Sequence, residues 1–389
     1  MGKIDQVFVF AVVDHSSEGD KTGVSKKVYG QIAAFEDLGY SVVFIHRDDN
    51  GYWLANSDKN LIRVSAKLTP YNYRIKDEIA GYLCQYFLQN GFPCFTYVRG
   101  TRLFKHCRQL LKTVKENGGN IVVEIPTVTK LITHKVPRDF IAEVIDRIAM
   151  TRLRNEIDGI VVMSHDKKLF GIPTIKIDNG IDVSRVKPLR PKPHQGVHLL
   201  GVAMMQMWHG YERVIEGLHQ YYATETNPEE IYLDLVGEGP ETPKYKELTD
   251  QYGLQDKVLF HGVLHGDELD KIYNECDIGI GSFGMYKLSI TEGSILKLKE
   301  YCAKGIPFIY ACHEDTLDPS PHFCRLYANN ETSIDIRDVL SFYHGLEGNL
   351  DKVRQEMKLY AEEKLSWKKE MAHVIEQVEK QRTSQENSK

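Results

Sequence analysis

"TEGSILKLKEYCAKGIPFIYA" (Thr291–Ala311) holds a helix, a stop signal and a strand in one passage. Ser294 to Lys304 is rich in good helix formers, and Gly305 followed by Pro307 ends the run as helices commonly end. "PFIYA" then reads as a buried strand. Glu292 stands in the loop entering the helix, and Glu300 lies about two turns along it. At ~1.5 Å per residue they are roughly 12 Å apart. That is too far to share a proton or a metal ion, but right for holding two ends of one extended ligand. The amides of Gly293, Ser294 and Ile295 lie at the helix entrance, where N–H groups and the helix dipole favour an anion. The order is hydroxyl acceptor, anion cradle, hydroxyl acceptor, which is the order of sugar, diphosphate and ribose in a nucleotide-sugar. The same pattern also fits a solvated amphipathic helix with ordinary surface charges.

The strand–helix alternation extends through the chain. Upstream, "VFVFAVV" (7–13), "SVVFIH" (41–46), "FTYV" (95–98), "NIVVEI" (120–125) and "GIVVMS" (159–164) are short apolar runs, most of them separated by helical patterns. A second series follows: "VHLLGVA" (197–203), "IYLDLVG" (231–237), "VLFHG" (258–262), "DIGIGS" (277–282) and "PFIYA" (307–311). Continuous apolar strands alternating with helices imply parallel sheets covered on both faces. "KPLRPKPHQG" (187–196), rich in proline and basic residues, is a linker signal between the series. The expected division is an N-terminal domain over 1–187, a second over 188–350, and a charged helical segment over 351–389 packing back toward the first domain and fraying at its end. Two such domains in tandem are expected to face each other across a cleft at the carboxyl ends of their strands, where ligands bind.

Composition narrows the class. With 389 residues there is room for two ordinary domains, and the apolar fraction of 42% is that of a soluble globular protein. No apolar run reaches the ~20 residues of a membrane helix. The N-terminal apolar run is too short for a secretory leader and reads as a first buried strand. Seven cysteines without a C-x-x-C imply reduced thiols and a cytosolic protein. The group Cys312, His313, His322 and Cys324 fits no familiar zinc spacing. Residues 1–190 carry 28 Lys/Arg and 21 Asp/Glu, whereas 191–389 carry 21 and 33. A basic first half suits phosphates, nucleic acid or an anionic membrane surface. Within it, "RGTRLFKHCRQLLKTVK" (99–115) is a basic amphipathic helix, suited either to covering a sheet or to lying on anionic lipid.

Six passages in order resemble a family-four glycosyltransferase of the GT-B fold. They are "DKTGVSKKVYGQIAAFEDLGYSVVFI", "IDNGIDVSRVKP", "GVAMMQMWHGYERVIEGL", "LVGEGP", "VLFHGVLHGDELDKIYNECDIGIGSF" and Glu292-x7-Glu300 with its G-x-P strand. The resemblance implies an α/β chain of two Rossmann-like domains with parallel sheets facing across a cleft. It implies retaining transfer of a hexosyl or N-acetylhexosaminyl unit from a UDP- or GDP-linked sugar to a saccharide, glycolipid or lipid-linked acceptor, as in polysaccharide biosynthesis. By that resemblance Glu292 accepts from donor-sugar hydroxyls, Glu300 holds the ribose, and Gly293, Ser294 and Ile295 present N–H groups. Val263 and Leu264 flank the base, and Gly23 with Val24 approach the diphosphate in the first domain.

The sequence departs from that pattern where many members bind the diphosphate with Arg and Lys. Val202 follows Gly201, and His209 precedes Gly210. Lys297 is therefore the first candidate cation, with catalytic weight beside Glu292, and Arg213 the second; Lys26 is a third, in the first domain. Many relatives also place a His after the strand "NIVVEI", where this chain has Pro126, Thr127 and Thr129. The expected chemistry uses no metal and no cofactor beyond the donor, involves no nucleic acid, and takes place in the cytoplasm or peripherally at the inner membrane face. A nucleotide-sugar epimerase of the same architecture and a non-catalytic scaffold subunit are the alternatives.

Overall fold

The computed structural model describes residues 6–15, 23–69, 71–100, 103–125, 137–187 and 189–386. The chain divides into two compact units, one of residues 1–182 with 367–389 and the other of 183–366. The first boundary falls five residues before the 187 expected from the linker signal. The second falls at 366 rather than 350, because the charged C-terminal region is two helices with different partners.

Unit 1 contains β1 (Gln6–Asp14), α1 (Gly23–Asp37), β2 (Ser41–Asp48), β3 (Gly51–Ala55), β4 (Asn60–Ser65), α2 (Tyr73–Asn90), β5 (Phe95–Arg99), α3 (Lys105–Glu116), β6 (Asn120–Glu124), α4 (Pro137–Arg152), β7 (Gly159–Val162), β8 (Lys168–Leu169) and β9 (Ile172–Lys176). The nine strands form one sheet in the order β4-β3-β2-β1-β5-β6-β7-β9-β8. From β2 to β9 every pairing is parallel, and both edges turn antiparallel. Alternation along β1 divides the core between the two faces. Val7, Val9 and Ala11 join one apolar cluster, while Phe8 and Phe10 join the other. Side chains so enclosed contribute about 1.5–3 kcal/mol each.

Unit 2 contains β10 (Val197–Val202), α5 (Glu212–Thr224), β11 (Ile231–Val236), α6 (Thr242–Gln251), β12 (Val258–Gly262), α7 (Gly266–Tyr273), β13 (Ile278–Ile280), α8 (Leu296–Lys304), β14 (Phe308–Tyr310), β15 (Cys324–Leu326), α9 (Ile336–Glu347) and α10 (Leu350–Lys364). Its sheet, β12-β11-β10-β13-β14-β15, is parallel throughout. α10 packs on α8 within this unit. The last helix, α11 (Trp367–Glu386), belongs to unit 1, where it lies along α1. Trp367, Met371, Val374, Ile375 and Val378 close the core cluster that Val28, Ile32 and Phe35 of α1 open.

The ten expected strands all form. "HRDDN" (46–50) carries the second strand further than its apolar run: His46 to Asp48 finish β2, and the chain turns directly into β3. The basic helix of the first half is α3. Its apolar residues Cys107, Leu110, Leu111 and Val114 are fully buried, so its apolar face covers the sheet and is not offered to lipid. No described helix is long and apolar enough to cross a membrane.

Candidate functional site

Because the strands of unit 2 run parallel, every loop that follows one emerges at the same edge of the sheet. The segment 203–211 follows β10, Val263 and Leu264 follow β12, 281–295 follows β13, and 311–316 follows β14. The topology thus gathers the candidate residues of this unit that lie far apart in sequence.

α8 is fixed from below by Leu298 and Tyr301, both fully buried. The Tyr301 hydroxyl donates to the Leu200 carbonyl at 2.9 Å. Its ring occupies the space that a Cβ at Gly279 would need, 2.6 Å away. Gly305, in the left-handed region at φ 80°, ends the helix as its sequence suggests.

Lys297, in the first turn of α8, is only partly exposed. Its Nζ donates to the Tyr211 hydroxyl at 2.9 Å and lies 5.3 Å from the centre of the Tyr211 ring. Among the described residues no carboxylate pairs with it. Burial brings its pKa down from 10.5 to about 7. Tyr211 is held in turn by two glycines. A Cβ at Gly201 would come within 2.9 Å of its ring, and Gly210, at φ 62°, lets the chain turn against the backbone of Phe283 and Gly284.

His209 stacks on Tyr211 with ring centres 5.7 Å apart. Its Nδ1 accepts from the Gln206 N–H at 3.0 Å, which leaves the ring proton on Nε2. Burial, reinforced by the Lys297 charge, pushes its pKa down to about 2. At the position where the resemblance implies a lysine, His209 is therefore a neutral donor, not a cation.

Arg213 does not serve as a second cation. Its guanidinium is buried and donates to three carbonyls, Thr332 at 2.6 Å, Phe283 at 2.9 Å and Ala328 at 3.0 Å. It ties α5 to the loops after β13 and β15, with three of its five N–H donors committed there.

The helix entrance also differs from a bare anion cradle. α8 begins at Leu296, two residues later than Ser294. The Gly293 N–H donates to the His313 carbonyl at 3.0 Å, and the Ile295 N–H to Glu314 Oε2 at 2.8 Å. These two amides are occupied. The amides that helix geometry leaves to a ligand are those of Leu296 and Lys297, one and two residues further along. Glu292 is exposed and forms a one-residue parallel bridge with His313.

Glu300 is partly exposed and lies beside Tyr273. Burial, together with the Glu300 charge, pushes the tyrosine's pKa well above its usual range. Val263 is 59% exposed and Leu264 partly so, an apolar surface beside the strand end.

In unit 1, Gly23 and Val24 open α1, where Thr22 and the side chains of Val24 and Lys26 lie outside the described residues. A charged cluster there had no counterpart in the sequence pattern. Glu124, at the end of β6, receives Lys27 at 2.7 Å, Arg99 at 3.2 Å, Tyr97 at 2.8 Å and Gln31 at 3.0 Å. Burial alone would raise its pKa; Lys27 and Arg99 outweigh it and hold the carboxyl below the ordinary range. Among the described residues no group of His, Cys, Asp and Glu is arranged to hold a metal ion.

Tyr211, Glu314 and Tyr273 were not singled out by the sequence. Each is a partner at long sequence separation, and only Tyr211, directly after the Gly210 turn, carried any local signal.

Residues 190–314 match the family described as "Glycosyl transferases group 1". A glycosyltransferase from Rickettsia africae superposes with a TM-score of 0.64 at 14% identity, over 97% of this chain and 98% of its own. Sucrose-phosphate synthase from Thermosynechococcus elongatus gives 0.62 at 14%, over 98% and 99%. Anabaena HepE in complex with UDP gives 0.57 at 12%, over 97% and 100%. No curated protein sequence matches the chain. Residues 190–314 are thus similar to the glycosyl transferases group 1 family, within a chain whose fold is that of GT-B glycosyltransferases.

Proposed function

We propose that the chain is a retaining glycosyltransferase that moves a hexosyl or N-acetylhexosaminyl unit from a UDP- or GDP-linked sugar to a saccharide or lipid-linked acceptor. The observation that carries this reading is Lys297. It is a partly buried amine with no carboxylate partner among the described residues, set in the first turn of α8 between Glu292 and Glu300. An unpaired cation at such a depth is costly unless an anion arrives. A diphosphate would restore its proton and accept from the Leu296 and Lys297 amides and from His209 Nε2. As the glycosidic bond breaks, charge grows on the diphosphate, and a fixed cation there stabilises the transition state more than the ground state. Glu300 holds the ribose hydroxyls, Val263 and Leu264 the base, and Glu292 the sugar. With Lys297 and the helix amides facing the leaving group, turnover is expected to survive EDTA. The UDP held by HepE supports a nucleoside diphosphate as the leaving group.

Calorimetry with UDP and GDP, on the native chain and on Glu300→Ala, tests the reading. Loss of an acceptor for hydroxyls should cost about 1.5–3 kcal/mol of nucleotide affinity. Unchanged affinity removes Glu300 from the site, and no binding of either nucleotide removes the donor reading. Product analysis with sugar nucleotides then separates transfer from isomerisation of the donor and from binding without turnover.

A further inference from the structure

Lys299 lies two positions after Lys297, yet is fully buried. Its Nζ pairs with Glu314 and donates to Thr316 Oγ1 at 2.8 Å. Glu314 is 1% exposed. One of its oxygens takes Lys299 and the Thr316 hydroxyl, the latter at 3.0 Å, and the other takes the Ile295 N–H at 2.8 Å. Ile295 is the residue from which α8 starts, and no side chain of its own caps the helix. The neighbouring backbone completes the clamp. Gly293 donates to His313 at 3.0 Å, and His313 donates to Thr291 at 3.2 Å. The stretch from Thr291 to Ile295 therefore hangs on His313 and Glu314 rather than on the helix it enters.

We propose that Glu314 is a positioning residue of the donor site: its carboxylate, bonded to the Ile295 amide, sets where Glu292 and Lys297 stand. The proposal rests on the donor reading above for its functional consequence, while the geometric claim is independent of any ligand. A buried ion pair by itself would make Glu314 merely structural. The two roles separate because the pair and the amide bond use different oxygens.

The test compares two double variants, Lys299→Met/Glu314→Gln and Lys299→Met/Glu314→Leu. Both remove the buried charges together, which avoids stranding one of them. Gln keeps an oxygen for the Ile295 N–H and offers its amide N–H to Thr316, whereas Leu leaves the Ile295 amide without an acceptor. Hydrogen exchange of peptides spanning 291–299 should be near native in the Gln variant and faster in the Leu variant. UDP or GDP affinity should be rescued by Gln and remain lower by about tenfold in Leu, as expected for the loss of one buried hydrogen bond. Melting temperatures establish that both variants fold; if the Leu variant does not, Lys299→Met/Glu314→Ala, which also removes the acceptor of the Ile295 N–H, takes its place in the comparison with the Gln double variant. Equal exchange over 291–299 in both double variants overturns the proposal. If exchange separates them while the native chain binds neither nucleotide, the donor reading fails and the positioning role stands.

Discussion

Each unit buries a carboxylate at the carboxyl edge of its sheet, and the two surroundings differ in what is left over. In unit 1, Glu124 takes Lys27, Arg99, Tyr97 and Gln31, so every described charge in the cluster has a partner. In unit 2, Glu314 takes Lys299 and the Ile295 amide, while Lys297 nearby bonds, among the described residues, to a tyrosine hydroxyl and to no carboxylate. Paired burial builds scaffold, because neither partner gains from a newcomer. An amine left with a neutral partner gains whenever an anion arrives. The contrast makes Lys297, rather than the more deeply buried Lys27 or Lys299, the residue with unfinished chemistry.

Removing a scaffold carboxylate should give the largest effect. Glu124→Leu leaves Lys27 buried without compensation and should cost about 3–5 kcal/mol of stability in a denaturant melt. Lys297→Met should behave in the opposite way. Stability should hold or rise, while affinity for UDP or GDP falls by about tenfold, ~1.4 kcal/mol. If Lys297→Met destabilises as strongly as Glu124→Leu, the distinction between the two clusters collapses.

A pH series sharpens the same contrast. The folded protein releases the Lys297 proton near pH 7, whereas the unfolded chain keeps it to about 10.5. Between those values the unfolded state binds more protons, so Lys297 weakens the fold less as pH rises. Native stability measured against Lys297→Met should therefore climb across that window, and nucleotide affinity should fall as pH rises above about 7. A flat stability difference would show that the amine titrates like an ordinary lysine. The smallest effect belongs to Val263→Ser, where stability should change by no more than about 0.5 kcal/mol, since the side chain is mostly in water. A drop in nucleotide affinity without a stability change places it at the base.

The central strands were legible because each is a short apolar run enclosed on both faces. The strands missed lie at the margins. β3 follows β2 after a two-residue turn, β4 is mostly exposed at its start, β9 carries Pro173, and β8 and β15 are only two and three residues long. Their pairing is set by the neighbour rather than by a pattern of their own. The layout of the candidate site was legible where one short segment carries it, with Lys297 and Glu300 on α8 and Glu292 in the loop before it. Arg213 misled because it stands in the first turn after Gly210, as an anion-binding residue would, while its acceptors lie 70 to 119 residues away. The Ile295–Glu314 bond was hidden for the same reason: spacing shows which residues share a helix face, not which loop will reach an amide.

α11 carries a consequence for the order of synthesis. Met371, Val374, Ile375 and Val378 form one wall of a core whose opposite wall, Val28, Ile32 and Phe35, is made more than 300 residues earlier. During translation all of unit 2 emerges while that apolar face of unit 1 still lacks its cover. The early half of the chain therefore waits, exposed to aggregation or chaperone capture, until its final helix leaves the ribosome.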